Sequence, residues 1–448
     1  MSKDGKEKQQ IIETSKIIWE NNLYEQYYNP ETKETGYVGL TTNKQEINKI
    51  PDFEFGDYLD KNSIIKYIPI KDELLEKNAV ILPTEPMEYN NDNELEEDID
   101  IFIKTWLDIS EEHRQKATWY VMLSWVIDKL NTIPYLRCLG DYGTGKTRYL
   151  DVIGGICYKP MFVGGSVRSA PIYRTIDFWK GTAVFDEFNL FKSSESEDII
   201  QILNNGFQRG KPVLRCDSTN YEKVNAFDPF GSKIIATRKP FNDNALESRC
   251  ITEIMKMTTR EDIPSDFTKE YYKTRNELQN KLLMYRLRNW DKIDPDETIH
   301  INFGGIQPRI KQSFQPFTIL FQYDKDKLEQ FKKYVQKYND NIVEENSQTL
   351  DGMIINHYLK MKENYMPNIT SQDIRNEIVN NGWASDKLDT RTIGKHLKSL
   401  GFETKPRFID GKTIREVTIN EETFKVLKTR YTIKNEENEG KQETLTLH

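Results

Sequence analysis

The chain has 448 residues, of which 37% are hydrophobic and 30% charged, and its net charge is −8. That much apolar material builds at least one sizeable core, so wholesale disorder is excluded, and the length suggests about three domains. The longest strongly apolar stretch, Thr118 to Ile127, is half of the roughly 20 residues that a membrane span needs, so no membrane partner is expected.

The opening MSKDGKEKQQ holds no apolar signal core. Cys138, Cys157, Cys216 and Cys250 lie far apart, with no C-x-x-C pair. A reduced, cytoplasmic chain without a zinc site or disulfide framework is expected. Charge is uneven: residues 1–100 carry a net −12 and the remainder +4. Bulk charge therefore does not announce nucleic-acid binding, although a ring that encloses a strand needs only a few cations per subunit.

In chain order, residues 1–97 read as a small acidic α+β region suited to a protein partner. It has a polar helical start (Ile11 to Tyr28), a turn-rich stretch (Asn29 to Pro51) and a strand-like run (Ile64 to Ile70). Glu85 to Asp100, acidic and rich in Asn, reads as a linker. Residues 98–345 read as an α/β core: helices from Ile101 to Leu130, apolar strands alternating with helical patterns from Tyr135 to about Ile254, then a mostly helical stretch. Residues 346–432 form a final compact unit, and 433–448 a polar, frayed tail.

The strongest motif is Gly140-Asp-Tyr-Gly143-Thr144-Gly145-Lys146-Thr147, a complete G-x-x-x-x-G-K-T between an apolar strand and a helical pattern. Its glycines let backbone N–H groups curl around phosphates, and the helix N-terminus adds partial positive charge. Lys146 would reach the β- and γ-phosphates of ATP, and Thr147 would hold Mg²⁺. About forty residues later, an apolar strand ends in Asp186-Glu187. Asp186 suits Mg²⁺, and Glu187 suits the orientation of an attacking water.

Two short strand-like runs, Pro212 to Cys216 and Lys223 to Phe227, flank a polar tip and read as a β-hairpin. The strand Lys233 to Thr237 ends in a hydroxyl that can bond the attacking water or the γ-phosphate. Arg249 lies twelve residues on, placed to cross into a neighbouring subunit's site, with a surface ion pair equally open from spacing alone. Arg309 follows Pro308 at a helix start and is a candidate contact for the γ-phosphate, in competition with Arg286 and Arg288.

In the final unit, helical patterns at Leu350 to Met361, after Ile369, and at Asp389 to Lys398 precede two strands around Asp410-Gly411. Three helices and a hairpin describe a winged helix. Residues 371–430 carry +3. Arg391, Lys395 and Lys398 would meet DNA phosphates or base edges; a protein-contacting winged helix that regulates an ATPase is the competing reading.

This ordered set resembles an AAA+ P-loop ATPase with a helical lid, and within it the MCM-like replicative helicases of mobile genetic elements, such as those of staphylococcal chromosome cassettes. The stretches GDYGTGKTRYLDVIGGICYKP, GTAVFDEFN, FGSKIIATRKPF and ALESRC carry the likeness, over roughly residues 98–430. The resemblance implies Thr237 as first sensor, Arg249 as a trans arginine finger and Arg309 as second sensor. It also implies a homo-oligomeric, hexameric ring with ATP sites at its interfaces. A hairpin inserted at residues 212–227 points into the pore in that family, which makes Arg215, Tyr221 and Lys223 DNA-contact candidates. The span from Met161 to Thr182 is too short for a second pore hairpin. The expected function is an ATP-dependent DNA helicase acting on single-stranded or forked DNA. The alternative is an ATP-switched replication initiator or loader that remodels DNA without processive unwinding.

Overall fold

The structure, a computed structural model, describes residues 8–41, 46–56, 63–164, 168–186, 194–217, 222–298, 300–383, 387–409 and 411–432. The chain divides into two compact units. The first is Met1–Ile301 with Gln312–Tyr323; the second is Asn302–Lys311 with Asp324–His448.

The first unit opens with seven strands: β1 (Lys8–Glu13), β2 (Lys16–Trp19), β3 (Asn22–Tyr28), β4 (Thr35–Leu40), β5 (Ile47–Ile50), β6 (Phe53–Gly56) and β7 (Ser63–Ile68). They form a four-stranded antiparallel sheet in the order β2-β3-β4-β5 and a three-stranded sheet β1-β7-β6, in which β1 and β7 are parallel. The expected helix at Ile11 to Tyr28 is thus three strands. Its apolar residues are mostly Ile, Tyr and Trp, which fit a pleated surface better than a helix, and β3 buries Leu23 and Tyr27 on one face and Tyr28 on the other. The expected turn-rich stretch contains β4 and β5.

A short helix, α1 (Glu73–Glu76), and a strap follow. Val80 bridges to Met161, and Thr84 and Glu85 donate their amides to Asn280 Oδ1. Tyr28, Ile70, Leu75, Val80 and Leu82 share one core with Met161, Trp179 and Phe185. The expected linker at Glu85 to Asp100 is instead the end of this strap and the start of α2 (Asp92–Trp106). Asn91 accepts from the Asn93 and Glu94 amides, so the Asn run is a helix cap, and Leu95, Ile99, Phe102, Ile103 and Trp106 give the helix one buried face.

After α3 (Glu111–Ser124) comes the central sheet: β8 (Tyr135–Leu139), β9 (Pro160–Val163), β10 (Thr182–Phe185), β13 (Lys233–Thr237) and β14 (Cys250–Ile254). All are parallel, in the order β14-β8-β13-β10-β9, and nearly continuous burial marks the inner strands β8, β13 and β10 as covered on both faces. The connections are α4 (Lys146–Tyr149) with a π-helical turn at Leu150–Gly154, α5 (Ser169–Trp179), α6 (Ser194–Asn205), the hairpin β11 (Val213–Cys216) with β12 (Val224–Phe227), and α7 (Asn244–Glu247). α8 (Lys269–Asn289) packs on the π turn, where the Tyr271 hydroxyl donates to Asp151 O (2.9 Å) and Gln279 to Gly155 O (2.8 Å). These bonds satisfy carbonyls near the π turn.

Helix α9 (Pro308–Phe314) precedes the second unit's main body: α10 (Lys325–Ser347), α11 (Leu350–Glu363), α12 (Ser371–Asn380), α13 (Thr390–Ser399), the antiparallel hairpin β15 (Glu403–Ile409) with β16 (Lys412–Thr418), and α14 (Glu421–Tyr431). Thr370 and Asp373 form a capping box at α12, and Asp389 caps α13. Ile354, Tyr358, Ile374, Ile393, Leu397, Val417 and Phe424 make the core. Among the described residues no helix is long and apolar enough to cross a membrane.

Candidate phosphate-loop site

The loop from Gly140 to Gly145 joins β8 to α4 at the carboxyl end of the sheet. Gly143 (φ 73°) and Gly145 (φ 85°) are left-handed, a conformation that turns the backbone around a concavity and that residues with a Cβ avoid. Gly140 is needed for space, because a Cβ there would lie 2.6 Å from Thr144 Oγ1. Inside the loop Thr144 Oγ1 donates to Asp141 O at 2.8 Å, and the Lys146 ammonium donates to the same carbonyl at 2.6 Å. The lysine is buried and held on its own loop, an orientation that a phosphate oxygen can take over from a carbonyl.

Strand order fixes what faces the loop. β13 lies between β8 and β10, so Thr237 sits between the loop and Asp186, each at a strand's carboxyl end. Thr147 Oγ1 donates to Asp186 Oδ2 at 3.3 Å, across 39 residues of sequence. Asp186 Oδ1 and Thr237 Oγ1 are both buried without a hydrogen-bond partner. An orphaned buried polar atom costs about 1–3 kcal/mol, and two together mark a place built for something else to bind. A hydroxyl beside a carboxylate suits Mg²⁺, a hard cation that takes oxygen ligands and keeps part of its water. Glu187 and Tyr221 lie outside the described residues.

Three features near the loop were not legible in the sequence. The exposed Tyr142 ring carries the Arg238 guanidinium 3.6 Å from its centroid, and Arg238 also donates to the Tyr142 hydroxyl. Arg148 fastens the loop helix to neighbouring backbone through the carbonyls of Pro264 and Ser265, and lies over Phe267. Asp151, one turn beyond Thr147, has its carboxyl pushed up to about 6, by burial first and then by the charge of Asp186.

Arg249 is not in this cluster. It precedes β14 at the amino end of the sheet, where Cys250 pairs with Tyr135, whereas the loop leaves β8 at the other end. A five-residue strand spans about 16 Å, so the Arg249 guanidinium does not serve its own loop. Its Nε and Nη1 are buried without an acceptor, and the group lies over the Phe207 ring, 5.3 Å from the centroid. Arg286 and Arg288 leave the competition for a phosphate contact: Arg286 is bonded inside the core to Glu25 and Asp128, and Arg288 pairs with Glu88. Arg309 lies on α9 in the second unit.

The hairpin β11–β12 has two unlike faces. Inward, Arg215 pairs with Asp198 (3.3 Å) and lies over Tyr173, whose ring also meets Phe227. Outward, Leu214, Cys216, Val224 and Ala226 are exposed, and Lys223 is exposed just before β12. In the second unit Arg391, Lys395 and Lys398 all lie on the exposed side of α13, opposite the buried Ile393 and Leu397.

No family model and no curated protein matches the chain. Solved structures similar to it include the C-terminal region of NrS-1, residues 305–718, at 13% identity over 89% of this chain and 96% of that one, with a TM-score of 0.37. JCV helicase is similar at 14% identity over 55% and 66%, with a TM-score of 0.25. The Holliday junction branch migration motor RuvB of Thermotoga maritima is similar at 13% over 72% and 97%, with a TM-score of 0.22.

Proposed function

We propose that the chain is an AAA+ ATPase that acts on DNA, as a ring-forming, ATP-driven helicase or translocase. One observation carries the reading: a complete phosphate loop faces Asp186 and Thr237, whose buried oxygens lack partners, at the carboxyl edge of a five-stranded parallel sheet. Lys146 moves from Asp141 O to the β- and γ-phosphates of ATP, and the amides of the glycine loop hold the same oxygens. Thr147 and Asp186 would hold Mg²⁺, which would neutralise charge on the phosphates. Thr237 positions the attacking water or the γ-phosphate, and Glu187 polarises that water. Arg309 serves as the second sensor.

The position of Arg249 supports assembly. A guanidinium with unbonded N–H groups at the end of the sheet away from its own loop suits the nucleotide of a neighbouring subunit, where it stabilises charge in the transition state. A closed, hexameric ring satisfies every such site. The β11–β12 hairpin leads into the amino end of β13, the end of the sheet where Arg249 lies, and is the element that contacts DNA in the pore, through Lys223 and Tyr221 and with Arg215 bracing it from behind. The second unit, read as a winged helix, contributes Arg391, Lys395 and Lys398. Replication of a mobile genetic element is the setting that the sequence motifs suggest.

The test compares wild type with Glu187→Gln on a forked DNA with ATP, recording strand displacement and DNA-stimulated hydrolysis together. Displacement by wild type that the variant abolishes supports the helicase. Hydrolysis without displacement replaces it with the initiator or loader.

A further inference from the structure

The β15–β16 hairpin projects from the second unit. Its seven pairs run from Glu403 opposite Thr418 to Ile409 opposite Lys412, a length of about 20 Å. Only the base is packed: Val417 is buried, and its amide donates to Ile369 O at 2.7 Å. Every residue from Glu403 to Phe408 is exposed.

At the far end stands Phe408, 76% exposed, opposite Thr413. Among the described residues no ring or cation stacks on it. The next pair on the same face is Pro406 with Arg415, so the Arg415 guanidinium is the diagonal neighbour of the ring. Lys412 lies beside the turn, exposed, on the other face. Arg407 is also on that face and is already paired with Glu416. Among the described residues, the distal hairpin therefore offers one bare aromatic face with an uncommitted cation next to it. A large apolar ring held this far from any core contributes nothing to folding.

We propose that Phe408 is a stacking platform for an unpaired base of DNA, with Arg415 on the adjoining phosphate, so that the second unit recognises a duplex end or fork rather than continuous duplex. The inference rests on the reading that this unit binds DNA through α13. The three cations of α13 suit duplex phosphates, which carry no information about branching. Every base has a π face, so an aromatic ring takes an unpaired base of any sequence. In continuous duplex the bases are already stacked, and the ring has nothing to gain. Ring and cations together give the unit a preference for the place where a duplex opens.

The experiment uses the full chain without nucleotide. Affinity is measured by fluorescence anisotropy at one salt concentration for a fork and for duplex of equal length, with 2-aminopurine at the first unpaired position of the fork. Phe408→Ala should weaken fork binding about tenfold, leave duplex binding unchanged and abolish quenching of the 2-aminopurine. Phe408→Trp should keep all three. The exposed position makes these changes neutral for folding. Lys395→Glu with Lys398→Glu should weaken both DNAs. If that double variant binds both DNAs as wild type does, the DNA role of the second unit falls. If it weakens them but Phe408→Ala keeps the fork preference and the quenching, the stacking proposal alone is overturned. Equal loss on fork and duplex overturns it too, because the ring then wedges into a base step of the duplex.

Discussion

Two clusters of charged and polar groups lie inside the first unit, and they differ in how completely they are bonded. In one, Glu25 of β3 takes Lys159 at 2.8 Å, Arg286 of α8 at 2.7 Å and the Tyr158 hydroxyl at 2.9 Å. Arg286 also holds Asp128, which Lys16 and the Trp290 N–H bond as well. In the other, Asp186 Oδ1 and Thr237 Oγ1, beside the phosphate loop, are buried without a hydrogen-bond partner; Arg249, outside that cluster at the far end of the sheet, likewise carries buried N–H groups without an acceptor. A buried polar network that is fully bonded fixes a packing arrangement; one left open holds a place for a ligand. On the proposed function, the first cluster belongs to the fold and the second to the chemistry. Substitutions should separate them: in one cluster stability should change and in the other the rate.

The largest expected effect is on rate. Arg249→Ala should lower ATP hydrolysis by about 10³ to 10⁵ while the thermal midpoint stays near that of wild type. Mixing gives a sharper form. Arg249→Ala subunits keep an intact loop, and Lys146→Ala subunits keep an intact arginine. An equal mixture of the two inactive variants should recover hydrolysis, because some interfaces then combine a good loop with a good arginine. A mixture that stays inactive would place Arg249 outside the reaction.

Next comes the bonded cluster. Arg286→Ala leaves Glu25 and Asp128 buried with one partner fewer, and breaking a buried pair in this way costs about 3–5 kcal/mol. Urea unfolding should show that loss, and the folded fraction should hydrolyse ATP at a normal rate per molecule. A normal unfolding curve together with lost hydrolysis would return Arg286 to the lid role that its sequence position allowed.

The same cluster sets the response to acid. Burial raises the Glu25 carboxyl, but Lys159 and Arg286 overcome it and hold the group below its ordinary 4.5; Asp128 is lowered in the same way by Arg286 and Lys16. Both pKa values are depressed by folding, so their stabilisation is present above the ordinary carboxylate range and is lost as pH falls through it. The thermal midpoint should drop below about pH 4.5. Glu25→Gln should start lower at neutral pH and decline less steeply.

How much of this was legible in the sequence depended on distance along the chain. The phosphate loop is contiguous, its strand and helix flank it directly, and Asp186 and Thr237 each end a short apolar run. Local pattern is enough for those. Glu25 and Arg286 are 261 positions apart, and nothing in either neighbourhood points to the other. Arg286 therefore read as a competitor of Arg309 for a phosphate contact. The stretch Ile11 to Tyr28 read as helical because its Ile, Tyr and Trp residues also recur at three- and four-residue spacings. The packing of that sheet against the rest of the unit decided between the two. The Asn-rich stretch read as a linker because Asn marks turns and caps equally; Asn91 proved to be a cap. Tyr142 and Arg238 meet only because β8 and β13 are neighbours.

The smallest effect is also the one that runs in opposite directions in the two clusters. Thr237→Val keeps the shape and β-branching of the side chain and replaces one buried hydroxyl by a methyl. That hydroxyl has no partner without nucleotide, so removing it relieves about 1 kcal/mol. The nucleotide-free midpoint should rise by about 1–2 °C. Hydrolysis should fall about tenfold to a hundredfold, as expected when one hydrogen bond to a charged group is lost. Glu25→Gln is equally conservative in shape, yet it should lower the midpoint, because its carboxylate is paired with both Lys159 and Arg286. A Thr237→Val protein that is less stable than wild type, with hydrolysis intact, would mean that the hydroxyl is bonded in solution. Its strand end would then be structural, as the Glu25 cluster is.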